Sequence, residues 1–217
     1  MDKFNKVKAN LEKHGYKVSV FADAKSAAEY LDSAIDGKTV GIGGSMTVQS
    51  MGLFDLLRRH NVVYSHLNGF PTEQNGELVY GDPTPPDHRA EGFKQAAFAD
   101  IYLASVNGLA ETGEIINIDG YGNRVAATLF GHEKVYFVVG RNKIAPDYDS
   151  ALERARNVAS PKNACRKNAA TPCVASGAAR CFDCSAPDRI CSGMAVLLRP
   201  SIGMEYEVVL IDEDMGF

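Results

Sequence analysis

The sequence lacks a hydrophobic run long enough to cross a membrane, and it lacks a block of basic residues. Its longest apolar stretches fall short of the roughly 20 residues that span a bilayer. The N-terminus is charged and has no apolar core of a signal peptide. Lys and Arg number 23 against 27 Asp and Glu, a net charge of −4. Nucleic acids and anionic membranes require clustered cations, so we expect a cytoplasmic protein that binds no nucleic acid and has no membrane span.

Several catalytic signatures are also absent. No Gly-x-Ser-x-Gly elbow occurs, so a hydrolase triad has no support. Met46 stands where the dinucleotide fingerprint needs its third glycine, and no Gly-Lys-Ser/Thr follows as in a P-loop. The five histidines show no metal-ligand spacing, although His66 and His88 flank a long loop and could face a ligand. These absences exclude the most recognisable hydrolase and nucleotide-binding sites.

The order of apolar patterns predicts one α/β domain over residues 1–217. Strands alternate with helices through the first 150 residues, which favours a mixed or parallel sheet with helices on both faces. Strands are predicted at 16–21, 39–43, 62–64, 100–105, 134–140, 194–199 and 206–211, with a hairpin at 110–118. Helices are predicted at 2–14, 22–35, 52–60, 87–98, 123–130, 147–158 and 161–170. Residues 66–86 read as a long irregular segment, and a cysteine-rich C-terminal segment at 165–191 interrupts the alternation. The oligomeric state stays open, and a homo-oligomer is possible.

A glycine-rich turn at 41–47 joins a predicted strand to a predicted helix. Glycines let the backbone approach a ligand, and open α/β sheets bind ligands at the carboxyl ends of their strands. We expect this turn at the mouth of the main cleft, with Gly43, Gly44 and Ser45 binding a small anion. The alternative is a tight turn in which Ser45 only caps the helix.

Two polar, glycine-rich clusters at 105–114 and 117–124 each contain a carboxylate. Glu111 and Asp119 are the candidate catalytic residues, since a carboxylate beside backbone amides can act as a base or a nucleophile. The candidate ligand-binding side chains of these clusters are Asn107, Asn123 and Arg124. Turn formation alone also explains the Asn-Gly, Thr-Gly and Asp-Gly pairs. We expect these groups to converge near the 41–47 turn.

Four cysteines lie within 19 residues and form the candidate metal site: Cys173, Cys181, Cys184 and Cys191. Four thiolates can hold a tetrahedral zinc ion or an iron–sulfur cluster. Their spacing matches neither a zinc ribbon nor a ferredoxin run, and Cys165 lies too far along a predicted helix to be the preferred ligand. The alternative is a reduced thiol-bearing loop, or a Cys181–Cys184 disulfide formed in oxidised preparations.

Taken in this order, these segments resemble the lactate-utilisation (LUD) domain family. The most specific matching piece is Asp119-Gly120-Tyr121-Gly122-Asn123-Arg124, within a resemblance that covers nearly the whole chain. The other matching segments are Gly43-Gly44-Ser45, Ser105-x-Asn107 with Glu111-x-Gly113-Glu114, 138–144, Thr171-Pro172-Cys173 with the later cysteines, and 214–217. The family more often has a Thr ahead of the acid, where this chain has Leu109-Ala110-Glu111.

The resemblance implies a fold similar to sugar-phosphate isomerases and CoA-transferases, with a ligand cleft at the strand ends. It implies a component of L-lactate oxidation to pyruvate that binds a small carboxylate or phosphate-bearing ligand and works beside iron–sulfur partner proteins. It also favours an iron–sulfur cluster over zinc at the cysteines. Two alternatives stand beside it. One is a stand-alone isomerase or acyl/CoA transferase acting on a phosphorylated or CoA-linked substrate through Glu111 or Asp119. The other is a metal-stapled domain that senses a ligand.

Overall fold

The computed structural model of the chain describes residues 4–80 and 86–217, and the side chains of 86–90 lie outside the description. The strands are β1 (Lys17–Phe21), β2 (Thr39–Ile42), β3 (Val62–Ser65), β4 (Pro71–Gln74), β5 (Glu77–Tyr80), β6 (Ile101–Ala104), β7 (Gly108–Ala110), β8 (Ile115–Asp119), β9 (Lys134–Gly140), β10 (Ile144–Ala145), β11 (Gly193–Leu197) and β12 (Glu205–Ile211). The α-helices are α1 (Asn5–His14), α2 (Ala24–Ala34), α3 (Met46–Ser50), α4 (Leu53–Leu57), α5 (Pro86–Ala97), α6 (Asn123–Ala127), α7 (Tyr148–Arg154), α8 (Ser160–Arg166) and α9 (Pro172–Ala175). A 3₁₀ turn (Arg141–Lys143) links β9 to β10, and a π-helical turn (Ala155–Ala159) joins α7 to α8.

A six-stranded sheet forms the centre of the fold, in the order β1-β12-β9-β6-β2-β3. Every neighbouring pair in it is parallel. Parallel strands buried on both faces read as nearly continuous apolar runs, and β9 with the sequence Lys-Val-Tyr-Phe-Val-Val-Gly is of this kind. The prediction of an α/β fold with a mostly parallel sheet is confirmed.

Side chains of β9 alternate between the two faces of this sheet, as the period of a strand requires. Phe137 packs into a core that includes Leu11 of α1. Val138 packs into a second core that includes Leu31 of α2. Each face is therefore covered by its own apolar cluster.

A second sheet, in the order β10-β7-β8-β11, was not predicted as a unit. Its β7–β8 hairpin is the predicted one, and Gly113 at its turn has a φ of 114°, a conformation that favours glycine. β11 adds to β8 in antiparallel register. This sheet places the end of β8, and with it Asp119, beside the carboxyl ends of the central strands.

Some predicted boundaries were wrong. The helix predicted at 52–60 covers only Leu53–Leu57 and is preceded by α3, because Gly52, with a φ of 66°, interrupts the two. The segment predicted as irregular at 66–86 contains the β4–β5 hairpin, which turns at Asn75 and Gly76 with positive φ at both residues. Residues 81–85 of that segment lie outside the described residues. None of the helices in the described ranges combines the length and the apolar character needed to cross a membrane.

Candidate functional site

A cleft of about 430 Å³ opens where the central strands β2 and β3 end. Gly44 follows β2, and His66 follows β3. The described lining residues are Gly44, His66, Leu67, Gly69, Phe70, Phe93, Asp119, Tyr121, Asn123, Arg124, Asn163, Arg166 and Lys167. The cleft is thus at the edge of the sheet where open α/β folds bind their ligands.

The predicted turn at 41–47 borders this cleft. A Cβ on Gly43 would lie 2.9 Å from Tyr102 Oη and 3.5 Å from Arg124 Cδ, so a glycine is needed for their close approach. The Gly43 amide donates to the Leu103 carbonyl at 3.0 Å. Ser45 caps α3 by accepting a hydrogen bond of 3.2 Å from the Val48 amide. The glycines of the turn therefore leave room for the cleft because they have no side chains. Ser45 caps α3, as the alternative interpretation of the turn expected.

Arg124 lies in the wall of the cleft and is oriented by Asn107. One guanidinium nitrogen donates to Asn107 Oδ1 at 3.0 Å and to the Ile118 carbonyl at 2.6 Å. Asn107 Oδ1 also accepts from the Ile118 amide at 2.7 Å, which fixes the asparagine. Burial lowers the pKa of the Arg124 guanidinium from its usual value, while Asp119 acts in the opposite direction. Both residues were predicted to bind ligand; Arg124 lines the cleft, whereas Asn107 lines the adjoining inner cavity and holds the Arg124 guanidinium.

Asp119 lines the cleft, but its carboxylate is bound by backbone amides. Oδ1 accepts from the Gly120 amide at 2.8 Å, and Oδ2 accepts from the amides of Arg124 and Val125 at 2.9 and 3.4 Å. Asparagine and aspartate side chains commonly satisfy the first amides of a helix in this way. The geometry gives Asp119 a capping role at the start of α6. Beside it, Asn123 Nδ2 lies 3.5 Å from His66 Nδ1 within the cleft wall.

Glu111 lies apart from these groups. Its carboxylate pairs with Lys6 at 2.7 Å, and its carbonyl accepts from Asn10 Nδ2 at 2.7 Å, both on α1. It is not among the described lining residues of the cleft. The structure therefore brings Asp119, Asn123 and Arg124 together with Gly44 and leaves Glu111 on the α1 side.

Lys143 was missed by the sequence analysis as a site residue. It lies in an inner cavity of about 40 Å³ that shares Gly44, Arg124 and Asn163 with the cleft. Lys143 Nζ donates to Thr47 Oγ1 and to Ser105 Oγ at 2.9 Å each, and the residue is only 4% exposed. Burial, then the nearby cations Arg154 and Arg124, lower its pKa to about 7. The available signal was a lysine three residues after β9, a strand buried at six consecutive positions.

Aromatic rings and further cations also line the cleft, and they were not predicted. The ring of Phe93 lies 4.6 Å from that of His66 and 5.7 Å from that of Tyr121, centroid to centroid. Lys167 Nζ lies 5.5 Å above the Tyr121 ring, and Arg166 donates to Asn163 Oδ1 at 2.9 Å. Neither cation has an ion pair with a carboxylate in the described part of the chain, and the same holds for Arg124.

The four predicted metal-ligating cysteines line one small cavity of about 20 Å³: Cys173, Cys181, Cys184 and Cys191. Cys165 is not among its lining residues. All five thiols are free. Among the described side chains, those of residues 4–80 and 91–217, no three His, Cys, Asp or Glu residues are grouped so that they could hold a metal ion. The cysteines as placed therefore do not fit a zinc ion, and their predicted metal or iron–sulfur role stays a prediction.

A single arginine joins the backbone of the cysteine-rich segment. Arg189 donates to the carbonyls of Cys191 and Cys184 at 3.0 and 2.5 Å and to Asp183 Oδ1 at 3.2 Å. The Asp183 amide in turn donates to Cys181 Sγ at 3.3 Å. These bonds account for the ordered path of a segment that has little regular secondary structure.

A comparison with protein-family models shows the family of the chain. A family model described as the LUD domain matches residues 4–211. The structure is similar to the crystal structure of a DUF162 family protein from Deinococcus radiodurans, with a TM-score of 0.51 and 12% sequence identity over 97% of this chain and 96% of that one. That likeness shows the fold alone. No curated protein shows significant similarity to the chain. The expected similarity to sugar-phosphate isomerases and CoA-transferases stays a prediction.

Proposed function

The chain belongs to the LUD domain family, and from this premise we propose that it is a component of L-lactate utilisation that binds a small 2-hydroxy or 2-oxo carboxylate in the cleft. Membership of the family indicates the role in lactate utilisation. The ligand class is our inference from the side chains of the cleft, with Arg124 as the group that receives the carboxylate.

The charge of the cleft is the observation that carries this proposal. Arg124, Arg166 and Lys167 line it, and none of them has an ion pair with a described carboxylate. Asp119 is the one acidic residue among the described lining residues, and backbone amides bind both of its oxygens. A guanidinium can bind a carboxylate with two parallel hydrogen bonds, and such charge-assisted bonds are stronger than neutral ones. An anionic ligand would therefore neutralise part of the positive charge that lines the cleft.

The position of Arg124 favours a short ligand at the inner end of the cleft. Its side chain borders both the cleft and the cavity around Lys143, and Asn107 fixes its orientation. A carboxylate on Arg124 would place the second carbon of the acid near the junction of the two spaces. The aromatic rings of His66, Phe93 and Tyr121 would then shield the outer side from water.

Oxidation of lactate to pyruvate releases two electrons and two protons, so an electron acceptor is required. We assign this role to an iron–sulfur partner protein, the class of partner expected for this family. In this proposal the described residues bind and orient the acid, and no electron transfer is assigned to them.

Isothermal titration calorimetry of the purified protein tests the proposal. L-lactate and pyruvate are titrated separately, with inorganic phosphate and CoA as probes of the alternative substrate classes. We expect saturable binding of at least one of the two acids, with an affinity that falls as salt is added, because the contact is ionic. Binding of phosphate or CoA without binding of either acid would overturn the proposal in favour of a phosphorylated or CoA-linked substrate. Failure of all four probes to bind would also overturn it.

A further inference from the structure

Lys143 differs from Lys134, a half-buried lysine at the start of strand β9. Lys134, at the start of β9, pairs with the buried carboxylate of Glu207 at 2.8 Å. Lys143, just beyond the end of the same strand, has no ion pair with any carboxylate in the described ranges, and its hydrogen-bond partners are the hydroxyls of Thr47 and Ser105. A buried charge without a counter-charge is strongly unfavourable, so this amine is held in a place that favours its neutral form.

The hydrogen-bond count matches a neutral amine. A neutral lysine has two N–H bonds and one lone pair, and the two hydroxyl oxygens at 2.9 Å provide one acceptor for each N–H. The lone pair is then left over. Lys143 lines the inner cavity, which shares Gly44, Arg124 and Asn163 with the ligand cleft. A desolvated lysine among cationic neighbours is a recognised way of making a nucleophile at neutral pH.

We propose that Lys143 is a nucleophile that forms an imine with the carbonyl carbon of a 2-oxo acid bound in the cleft. The substrate class rests on the proposed function above. The lysine nitrogen forms a bond to the carbonyl carbon, and the carbon–oxygen double bond breaks. Both amine protons leave with the oxygen as one molecule of water, and the imine takes a proton from solvent to become an iminium ion. No oxidant or reductant is needed.

Arg124 gives this reaction its selectivity. A 2-oxo acid held by its carboxylate at Arg124 directs its neighbouring carbonyl carbon toward the inner cavity. A 2-hydroxy acid such as lactate has the same anchor but no electrophilic carbon, so it binds without reacting. A simple ketone has the carbonyl but lacks the anchor. Pyruvate should therefore react with Lys143, and acetone should not.

Reductive trapping tests the proposal on the intact chain. The wild-type protein is incubated with pyruvate at neutral pH, borohydride is added, and the product is examined by intact mass and peptide mapping. We expect one carboxyethyl group on Lys143, at least about tenfold more than on any other lysine. Acetone or lactate in place of pyruvate should give no adduct at this residue. Adducts spread over exposed lysines, with none enriched at Lys143, would overturn the proposal.

Two variants and one binding measurement complete the design. Lys143→Met removes the amine without introducing a buried charge, so it should lose the adduct. Lys134→Arg changes a lysine whose carboxylate partner holds it in the charged form, and it should keep the adduct on Lys143. Because the mapping is done on the wild-type chain, a variant that fails to fold does not weaken the test. Pyruvate binding by calorimetry without any adduct would overturn the imine alone, whereas an absence of the adduct together with an absence of binding of both pyruvate and L-lactate would overturn the proposed function as well.

Discussion

Lys143 Nζ donates a hydrogen bond of 2.9 Å to Ser105 Oγ, and this bond links the carboxyl ends of β9 and β6. The two residues are 38 positions apart in the sequence. Thr47, which follows β2, accepts the second hydrogen bond of the same amine. Residues that follow three neighbouring strands of the central sheet thus surround one nitrogen. Lys143 lies beside the cleft in which we place the substrate.

Replacement of Arg124 should weaken ligand binding more than any other single change in the cleft. We expect Arg124→Gln to raise the dissociation constant for pyruvate by about tenfold or more, since a lost charge-assisted hydrogen bond amounts to about 1.5–3 kcal/mol. Arg58→Gln serves as the matched control. It removes an exposed cation that pairs with Asp55 of α4, and it should bind pyruvate normally. Calorimetry on the two variants measures both constants. Equal affinities in the two variants would contradict the role of Arg124.

Replacement of Glu111 tests whether this carboxylate is catalytic, as the sequence predicts, or lies outside the site, as the structure places it. Glu111 pairs with Lys6, and Lys6 is well exposed, so the pair contributes little to the free energy of unfolding. We expect Glu111→Gln to change pyruvate affinity and the yield of the Lys143 adduct by less than about twofold. A loss of the affinity or of the adduct yield by an order of magnitude would show that Glu111 belongs to the site.

The lowered pKa of Lys143 should appear in the pH dependence of stability. In the folded chain this amine loses its proton at about pH 7, whereas an unfolded lysine holds it up to about pH 10.4. Between these values the unfolded state binds more protons, so the free energy of unfolding rises with pH. The charged groups that act on the amine are Arg154 and Arg124, both cations, so no acidic neighbour titrates in this window.

Urea unfolding at pH 7 and pH 9 measures this effect. Relative to Lys143→Met, the wild-type protein should gain about 2 kcal/mol in its free energy of unfolding between the two pH values. If the free energy of unfolding changes equally with pH in the two proteins, Lys143 has an ordinary pKa, and the imine proposal loses one of its supports.

Strand β9, in the middle of the central sheet, could be predicted from the sequence because it is a nearly continuous apolar run. The prediction of a strand at 134–140 matches β9 residue for residue. The second sheet escaped prediction because β10 has two residues and β7 has three, too few for a periodic pattern. Such strands form because segments that are distant in sequence provide their hydrogen-bond partners. A local sequence pattern does not show those partners.

The candidate site was predictable only in part, for the same reason. Asp119, Asn123 and Arg124 lie in one short motif, so their proximity could be inferred from the chain itself. The environment of Lys143 depends on Thr47, 96 residues away, and on Ser105. Glu111 looked equivalent to Asp119 in sequence, yet the β7–β8 hairpin carries it to α1.

The metal prediction for the cysteines is tested by elemental analysis. Iron, zinc and visible absorbance are measured on anaerobically purified wild-type protein and on a variant with Cys181→Ser and Cys184→Ser. The prediction expects metal in the wild-type protein and its loss in the variant, since four thiols line one cavity. Equal and negligible contents in both would leave the cysteines structural, in agreement with the absence of a grouped ligand set among the described residues.

A crystal structure of the protein with bound pyruvate tests the central claim most directly. The account predicts the carboxylate of pyruvate within about 3 Å of the Arg124 guanidinium, with the carbonyl carbon facing Lys143 Nζ or joined to it. Pyruvate bound in the cleft with its carboxylate away from Arg124, or bound elsewhere on the surface, would contradict the account.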